Sequence, residues 1–225
     1  MNIQLKIYNR LLKHYGSQNW WPAKTRFEVI VGAILTQNVN WKNAKIAVDT
    51  LKRKKILSPC AIISTRHKLI ASAIKSSRFY NQKTEKLKSF CNYLFQKHNG
   101  SLNKMFSVET DKLRNELLSI KGIGKETADS ILLYAGKKLS FVSDAYTKRF
   151  LERYGLLNNK SGYDDIRHFF MSSLPQDVYI YNEFHALIVH HCYSICKSKP
   201  NCSQCPIRRI DKNNDCYFIK KTGTL

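Results

Sequence analysis

Four cysteines near the end of the chain have the spacing of metal ligands. Cys196, Cys202, Cys205 and Cys216 lie within a stretch of 21 positions. Closely spaced cysteines in a chain without a secretion signal are more typical of a metal site than of a disulfide framework. Four thiolates hold either zinc or an iron–sulfur cluster, so the residue types leave both open.

A second pattern that could bind a ligand is a pair of glycines, Gly122 and Gly124, between two apolar helical segments. Glycine permits backbone conformations and close approaches that a Cβ atom would block. The turn then presents unpaired N–H groups at the start of the next helix, around Lys125 and Thr127, where a phosphate oxygen binds without base preference. An ordinary tight turn between two helices is the alternative.

A third candidate is the carboxylate of Asp144, which directly precedes a predicted helix that begins at Ala145. An aspartate in this position commonly caps the helix. A carboxylate can also stabilise positive charge or activate a water molecule. Taken without any relative for comparison, the residue pattern favours the cap.

The elements that must position these residues are predicted to be helices. Apolar residues recur at helical spacing along nearly the whole chain, and no segment requires a strand. The clearest helical patterns run from Ile7 to Tyr15, from Phe27 to Leu35, from Asn81 to His98 and from Val178 to Cys196. The sequence therefore predicts an all-α protein.

The charge balance favours a polyanionic partner. The 225 residues contain 38 Lys and Arg against 16 Asp and Glu, a formal net charge of +22. Nucleic acid is the leading candidate, and a lysine-rich proteome is the alternative. No apolar run approaches the roughly 20 residues that span a bilayer, and no segment has the pattern of a signal peptide. We therefore expect a cytoplasmic monomer without a membrane partner, associated with the nucleoid when bound to DNA.

The segment from Leu117 to Asp129 resembles the helix-hairpin-helix motif of the endonuclease III superfamily of DNA glycosylases. The resemblance extends over nearly the whole chain, because Phe27–Asn38, Phe79–Lys83 and the cysteine tail also match in the same order. It implies two helical domains with a DNA-binding cleft between them. Residues 25–137 would form a six-helix barrel domain with the hairpin. Residues 1–24 and 138–225 would form the second domain, with the catalytic aspartate and the cysteines.

The resemblance also implies a chemistry. Asp144 matches the catalytic aspartate of the superfamily, and Glu126 occupies the position where bifunctional members carry a nucleophilic lysine. Lys125 is one residue away, which turns its side chain by about 100° on a helix. We therefore expect a monofunctional glycosylase that hydrolyses the N-glycosidic bond, with Asp144 stabilising the sugar cation and activating water.

Several motifs are similar to those of the 3-methyladenine glycosylase branch: Trp20-Trp21-Pro22, Thr36-Gln37-Asn38, Trp41 and Phe79–Lys83. This likeness implies that Trp21 and Trp41 stack on a flipped base, with Pro22 and Glu126 in the same pocket. Stacked aromatic rings favour a cationic base such as an alkylated purine, although clustered tryptophans are also common in cores. By the same likeness, Gln37 and Phe79 would fill the gap left in duplex DNA.

Many superfamily members carry a [4Fe–4S] cluster on a cysteine tail, so the resemblance favours iron–sulfur over zinc. The gap of ten residues before Cys216 is about twice the family's usual gap. Either the intervening loop bulges outward or Cys192 replaces Cys216 as the fourth ligand. Two other functions stay open: a bifunctional endonuclease III-like glycosylase and AP lyase for other damaged bases, and a non-catalytic DNA-binding protein.

Overall fold

The computed structural model describes residues 2–158, 160–210 and 216–223. Within these ranges the regular structure is helical and no strand occurs, which confirms the predicted all-α class. The α-helices are α1 Ile3–Tyr15, α2 Arg26–Leu35, α3 Trp41–Arg53, α4 Pro59–Ser64, α5 His67–Ala73, α6 Tyr80–His98, α7 Leu102–Ser107, α8 Thr110–Ser119, α9 Lys125–Ser130, α10 Ala145–Tyr154, α11 Tyr163–Ser173, α12 Val178–Ser194 and α13 Tyr217–Thr222. Short 3₁₀ turns lie at Lys75–Ser77 and Cys202–Gln204, and a π turn at Ile131–Ala135 continues α9.

The chain divides into two compact units. One unit is the continuous segment Trp21–Lys138, which contains α2 to α9. The other joins Met1–Trp20 to Leu139–Leu225 and contains α1 and α10 to α13. None of the helices in the described ranges is both long enough and apolar enough to span a membrane.

Helix α2 is the central helix of the Trp21–Lys138 unit. Every residue from Phe27 to Leu35 is buried, and the helix packs against α3, α6, α9 and the π turn. Its N-terminus is capped by Thr25, whose side chain accepts a hydrogen bond from the Glu28 amide at 3.1 Å. Gly32 allows the Trp21 ring to approach closely, because a Cβ there would lie 2.9 Å from the ring.

Helix α12 has the corresponding place in the other unit, where it packs against α1 and α10. Asp177 caps its N-terminus by accepting a hydrogen bond from the Tyr179 amide at 2.7 Å. The aromatic core beside it includes Phe141 and Phe170, which stack with their ring centroids 4.0 Å apart. The helix is buried along most of its length, so the polar side chains it carries inward, such as His185, lie in a largely apolar environment.

Candidate functional site

The helix-hairpin-helix consists of α8, a turn at residues 120–124 and α9, and it is called the hairpin below. Gly122 has φ +90°, a conformation that side chains rarely adopt, and a Cβ there would lie 2.5 Å from the Lys86 side chain. Gly124 caps α9 with an extended backbone, and a Cβ there would have no described atom within 4 Å. The two glycines therefore have different roles. Gly122 adopts the backbone conformation of the turn, and Gly124 leaves the start of α9 accessible.

A buried ion pair closes the hairpin. The Arg114 guanidinium on α8 donates to both carboxylate oxygens of Asp129 on α9, at 2.8 and 3.1 Å. Asp129 is fully buried and the Arg114 side chain is 13% exposed. Two parallel charge-assisted hydrogen bonds fix both distance and orientation, so this pair holds the two helices in register.

Gln37 lies against the hairpin. Its amide nitrogen donates to the Gly122 carbonyl at 3.1 Å and to the Thr127 hydroxyl at 2.8 Å, and its amide oxygen accepts from Lys86 at 2.5 Å. Thr127 is 5% exposed, so its hydroxyl faces Gln37 inside the protein. The sequence predicts DNA contacts for Gln37 and Thr127, whereas these bonds tie the two side chains to each other. Lys125 and Gly124, by contrast, are exposed at the start of α9.

Phe79 is an exposed aromatic residue, and its gap-filling role stays a prediction. Its side chain is 59% exposed, which is unusual for a large aromatic residue. It precedes α6 with φ +44°, and its neighbour Arg78 has φ +54°. Two successive non-glycine residues in left-handed backbone store strain, and such strain is concentrated at functional sites.

Trp21, Pro22 and Trp41 line one cavity with a volume of about 330 Å³, called the aromatic cavity below. The Trp21 and Trp41 rings meet edge to face, with centroids 5.0 Å apart and an interplanar angle of 89°. Because the rings contact each other, a base does not fit between them in this arrangement. Glu126 is not among the described residues that line the cavity, which also include Ala23, Lys24, Glu28, Lys45, Val48, Asp49 and Lys52.

Glu28 brings a buried carboxylate to the aromatic cavity. It is 6% exposed, accepts a hydrogen bond from the Lys24 amide at 3.0 Å and pairs with the Lys52 ammonium. A buried carboxylate is stable only when it is paired or hydrogen-bonded, as this one is. Sequence reasoning missed its position in the cavity, although a charged residue within the apolar run of α2 was a visible signal.

Asp144 caps α10, as the residue pattern alone suggested. One carboxylate oxygen accepts hydrogen bonds from the Thr147 amide at 2.7 Å and from the Thr147 hydroxyl at 2.9 Å. The other oxygen lies 3.5 Å from the imidazole Nε2 of His185 on α12. The cap therefore uses one oxygen and leaves the second beside an imidazole, so capping and chemistry are compatible in this residue.

The environment of Asp144 favours its ionised form. Burial by itself would raise the pKa of this carboxyl, but the neighbouring His185 imidazole and the hydrogen bonds from Thr147 hold it below its usual range. Sequence reasoning missed His185, which lies 41 positions further along the chain. The signal available was an imidazole within the apolar run of α12.

The cysteines predicted to bind metal come together. Cys196, Cys202, Cys205 and Cys216 all line one cavity, and Cys192 is not among its described lining residues. Cys192 is instead buried, and its thiol donates to the Tyr146 carbonyl at 3.5 Å. Residues 211–215 of the loop before Cys216 lie outside the described residues, so the predicted outward bulge also falls there in part.

Arg153 organises the chain around this cavity. Its guanidinium donates to the Cys196 carbonyl at 3.1 Å and to the Cys196 sulfur at 3.4 Å, and also to the carbonyls of Lys197 and Ser198. The same group lies 5.1 Å from the ring centroid of Phe218 on α13. One side chain thus contacts the segments that carry the first and last cysteines of the set.

The four thiols differ in acidity. Hydrogen bonding from Cys192 and then from Arg153 lowers the pKa of Cys196 to about 6. Burial raises the pKa of Cys205 to about 12, and burial also raises the pKa values of Cys202 and Cys216. Among the described residues, no three His, Cys, Asp or Glu side chains are arranged to hold a single metal ion. Four thiols around one cavity nevertheless form a donor set suited to a cluster larger than one ion.

The sequence matches the model of the HhH-GPD superfamily of base excision DNA repair proteins over residues 31–176. The chain belongs to this superfamily. The matched residues contain the hairpin and Asp144. The fold and the helix-hairpin-helix expected from the sequence are therefore confirmed.

Three relatives of this glycosylase span nearly its whole length. A Methanocaldococcus jannaschii protein named as a DNA repair glycosylase is 48% identical over 91% of this chain and 94% of that protein. Endonuclease III of Sulfolobus acidocaldarius is 29% identical over 92% of this chain and 95% of that enzyme. The solved structure of Helicobacter pylori 3-methyladenine DNA glycosylase bound to 1,N6-ethenoadenine matches with a TM-score of 0.76 and 28% identity, over 84% of this chain and 96% of that one. Because these relatives differ in name and activity, kinship alone leaves the damaged base open.

Proposed function

We propose that this glycosylase hydrolyses the N-glycosidic bond of alkylated purines in duplex DNA and leaves the strand intact. The observation that carries the proposal is the partly buried Asp144 carboxylate, kept ionised by Thr147 and His185. A carboxylate in this state can accept a proton from water and stabilise positive charge on a sugar. At the second residue of α9 the chain carries Glu126, which has no amine to attack the sugar.

The proposed reaction needs no covalent intermediate. Asp144 removes a proton from a water molecule, whose oxygen forms a bond to the sugar C1′. The bond between C1′ and the base nitrogen breaks, and its electron pair leaves with the base. A purine alkylated on a ring nitrogen already carries positive charge and departs as a neutral base, so little acid catalysis is required. The developing sugar cation lies close to the carboxylate charge, as in glycoside hydrolysis.

The aromatic cavity supports a flat, electron-poor substrate. The faces of Trp21 and Trp41 attract cations, and Glu28 adds a carboxylate to the same cavity. With the two rings edge to face, a flipped base would stack on an open face of one ring, unless the pair separates on binding. The 28% identical Helicobacter pylori enzyme is a 3-methyladenine glycosylase bound to an adenine derivative, which supports the same class of base here.

Duplex DNA is the proposed partner, and we propose that only some of the residues predicted to contact it do so directly. Gly122, Gly124 and Lys125 offer the hairpin turn and the start of α9 to a phosphate. Phe79 would fill the gap left by the flipped base. Gln37 and Thr127 would support the hairpin from within, because their polar groups bond to each other and to Gly122. We propose that one chain acts as a monomer on the duplex.

The cysteine set supports a [4Fe–4S] cluster as the cofactor, with Cys196, Cys202, Cys205 and Cys216 as its ligands. Zinc would need four sulfurs about 2.3 Å from one point. The four cysteines share a cavity, and metal analysis of the purified protein decides between the cluster and zinc. When bound, the cluster would supply structural cross-linking of this loop, and Arg153 would hold the backbone of its first ligand.

The test compares wild type with Asp144→Asn on methylated duplex DNA, with released bases identified by mass. Asparagine also caps helices, so α10 should persist while release of 3-methyladenine is nearly abolished. Asp177→Asn is the matched control, because Asp177 also caps a helix, α12, through one carboxylate oxygen. Equal activity of Asp144→Asn and wild type would refute the catalytic role.

The same experiment separates the alternative functions. Strand breaks that appear only after alkali indicate a monofunctional enzyme. Breaks without alkali indicate a lyase, and Lys125 would then be the first amine to replace. Binding to duplex DNA without release of any methylated or oxidised base would support the non-catalytic DNA-binding protein.

A further inference from the structure

Lys83 is a buried cation in the first turn of α6. Its side chain is 1% exposed, and its ammonium donates to the Leu35 carbonyl at 2.8 Å and to the Ser77 carbonyl at 2.5 Å. Burying an ammonium group is costly unless it is hydrogen-bonded, so these two bonds allow Lys83 to be buried. Burial, followed by the nearby charge of Lys86, lowers the pKa of Lys83 to about 8.

The two carbonyls belong to the ends of two different segments. Leu35 is the last residue of α2, and Ser77 is the last residue of the 3₁₀ turn. Carbonyls at helix C-termini lack partners within the helix and attract cations. Lys83 therefore joins the end of the helix that leads to Gln37 to the end of the turn that leads to Phe79.

The segment after Ser77 needs such a support. Arg78 and Phe79 both have left-handed backbone, which persists only where surrounding structure over-determines it. The Lys83 amide donates to the Phe79 carbonyl at 2.9 Å, so backbone and side chain of the same residue hold this turn from two sides. The exposed Phe79 ring therefore belongs to a strained turn that the buried Lys83 contacts.

We propose that Lys83 is a positioning residue that holds the Phe79 turn and the end of α2 in fixed register, so that Phe79 enters the DNA gap as a rigid wedge. This inference rests on the proposed function, because it assumes that Phe79 fills a gap in duplex DNA. It assigns to Lys83 no contact with DNA and no step in the chemistry.

The test measures gap filling directly. Wild type and variants are added to a duplex with a tetrahydrofuran abasic analogue and the fluorescent base 2-aminopurine opposite it, whose emission rises when the base is unstacked. The test variant is Lys83→Met, which keeps the length of the side chain and removes the cation. Lys88→Met is the matched control, since Lys88 lies on the same helix and also donates to two carbonyls, of Ile63 at 3.0 Å and Thr65 at 2.8 Å.

We expect Lys83→Met and Phe79→Ala each to lose most of the fluorescence rise, while Lys88→Met behaves as wild type. Adding Lys83→Met to Phe79→Ala should cause no further loss, because both act through one ring. Equal signals from Lys83→Met and wild type, or equal losses from Lys83→Met and Lys88→Met, would overturn the inference. If Lys83→Met does not fold, Lys83→Gln serves instead, since it keeps an N–H donor. Its fluorescence rise should lie between that of wild type and that of Phe79→Ala.

Failure of the inference and failure of the proposed function give different results. The abasic analogue carries no base, so the fluorescence assay does not depend on catalysis. If wild type releases no methylated base but Lys83→Met still loses the fluorescence rise, the proposed substrate is refuted. The positioning role of Lys83 is then retained. Normal base release by wild type without any fluorescence rise would refute the wedge and with it the role of Lys83.

Discussion

The hairpin and the cysteine loop, residues 196–210 with Cys216, are stabilised in opposite ways. The hairpin is closed by bonds within the protein, from the Arg114–Asp129 pair and from Gln37 to the Gly122 carbonyl. In the cysteine loop Arg153 donates to the backbone of Cys196 and Ser198, the Tyr154 hydroxyl donates to the Ile207 carbonyl at 3.1 Å, and the four thiols surround a cavity. The hairpin has its final shape as a polypeptide, whereas the cysteine loop would present ligands for the proposed cluster.

The acidities of the thiols support this contrast. Burial raises the pKa values of Cys202, Cys205 and Cys216, so these thiols hold their protons at neutral pH in the absence of metal. A metal binds thiolate, and its binding therefore releases protons and contributes directly to folding. The cysteine loop should therefore depend on metal, and the hairpin should not.

The largest expected effect is the loss of the cluster in Cys205→Ser. We expect the absorption at about 400 nm that is typical of a cubane cluster to disappear, because one of four thiolates is missing. Hydrogen exchange should rise at residues 196–210 and stay unchanged at residues 110–130. Visible spectra, iron content and exchange mass spectrometry measure these changes.

Cys60→Ser is the control for the cysteine experiment, since Cys60 is an exposed thiol in α4. It should leave the spectrum and the exchange pattern as in wild type. A wild-type chain that carries one zinc and no iron would contradict the cluster. Increased exchange in the hairpin of Cys205→Ser would contradict the independence of the two regions.

The next largest effect should come from Arg114→Ala, which attacks the hairpin and leaves the cysteines intact. Removing Arg114 leaves the buried Asp129 carboxylate without its cation, which costs about 3 kcal/mol in the free energy of unfolding. Urea unfolding measures this loss, and the visible spectrum of the folded variant should be unchanged.

Lys45→Ala is the matched control for the ion pair. Lys45 lies 2.7 Å from Asp49, but both side chains are about half exposed, at 58% and 43%. Exposed pairs of this kind contribute less than about 1 kcal/mol. If Arg114→Ala and Lys45→Ala lower the free energy of unfolding by the same small amount, the hairpin does not depend on its ion pair and differs less from the cysteine loop.

Much of the fold could be predicted from the sequence, because its signals are local. The helical periodicity predicts α6 almost to the residue, and Asn99 ends that helix in left-handed backbone. The glycines at 122 and 124 and the cysteine spacing are also local patterns. Each of these depends on residues that are neighbours in the chain.

The parts of the site that sequence reasoning missed depend on partners that are distant in the chain. Gln37 contacts Gly122, which lies 85 positions away, and His185 contacts Asp144 from 41 positions away. A polar residue in an apolar run indicates that it has a partner, but the local pattern does not identify the partner residue. The predicted DNA contact of Gln37 illustrates this limit, because its type and position are compatible with either role.

A smaller effect is expected from the two glycines, which separate the shape of the hairpin from its access to DNA. Gly122→Ala should lower the free energy of unfolding by about 1–2 kcal/mol, because φ +90° disfavours a Cβ and Lys86 must move. Gly124→Ala should leave stability within about 0.5 kcal/mol and weaken binding to duplex DNA, since its Cβ stands where a phosphate would approach. Urea unfolding and fluorescence anisotropy measure the two effects, and the reverse pattern would contradict the division of roles.

The smallest expected change concerns Asp144, which lies in the same unit as the cysteine loop but is held by protein bonds, as the hairpin is. Its lowered pKa contributes stability that is present above the ordinary pKa of aspartate and is lost as the pH falls through the folded value. His185→Asn removes the imidazole beside the carboxylate, so the pKa of Asp144 should rise and base release should begin to fail at a higher pH than in wild type. Single-turnover base release as a function of pH measures this shift. His168→Asn is the control, since His168 is an exposed histidine on α11. An acid limb that does not move in His185→Asn would show that Thr147 alone keeps Asp144 ionised, and His185 would then be a packing residue.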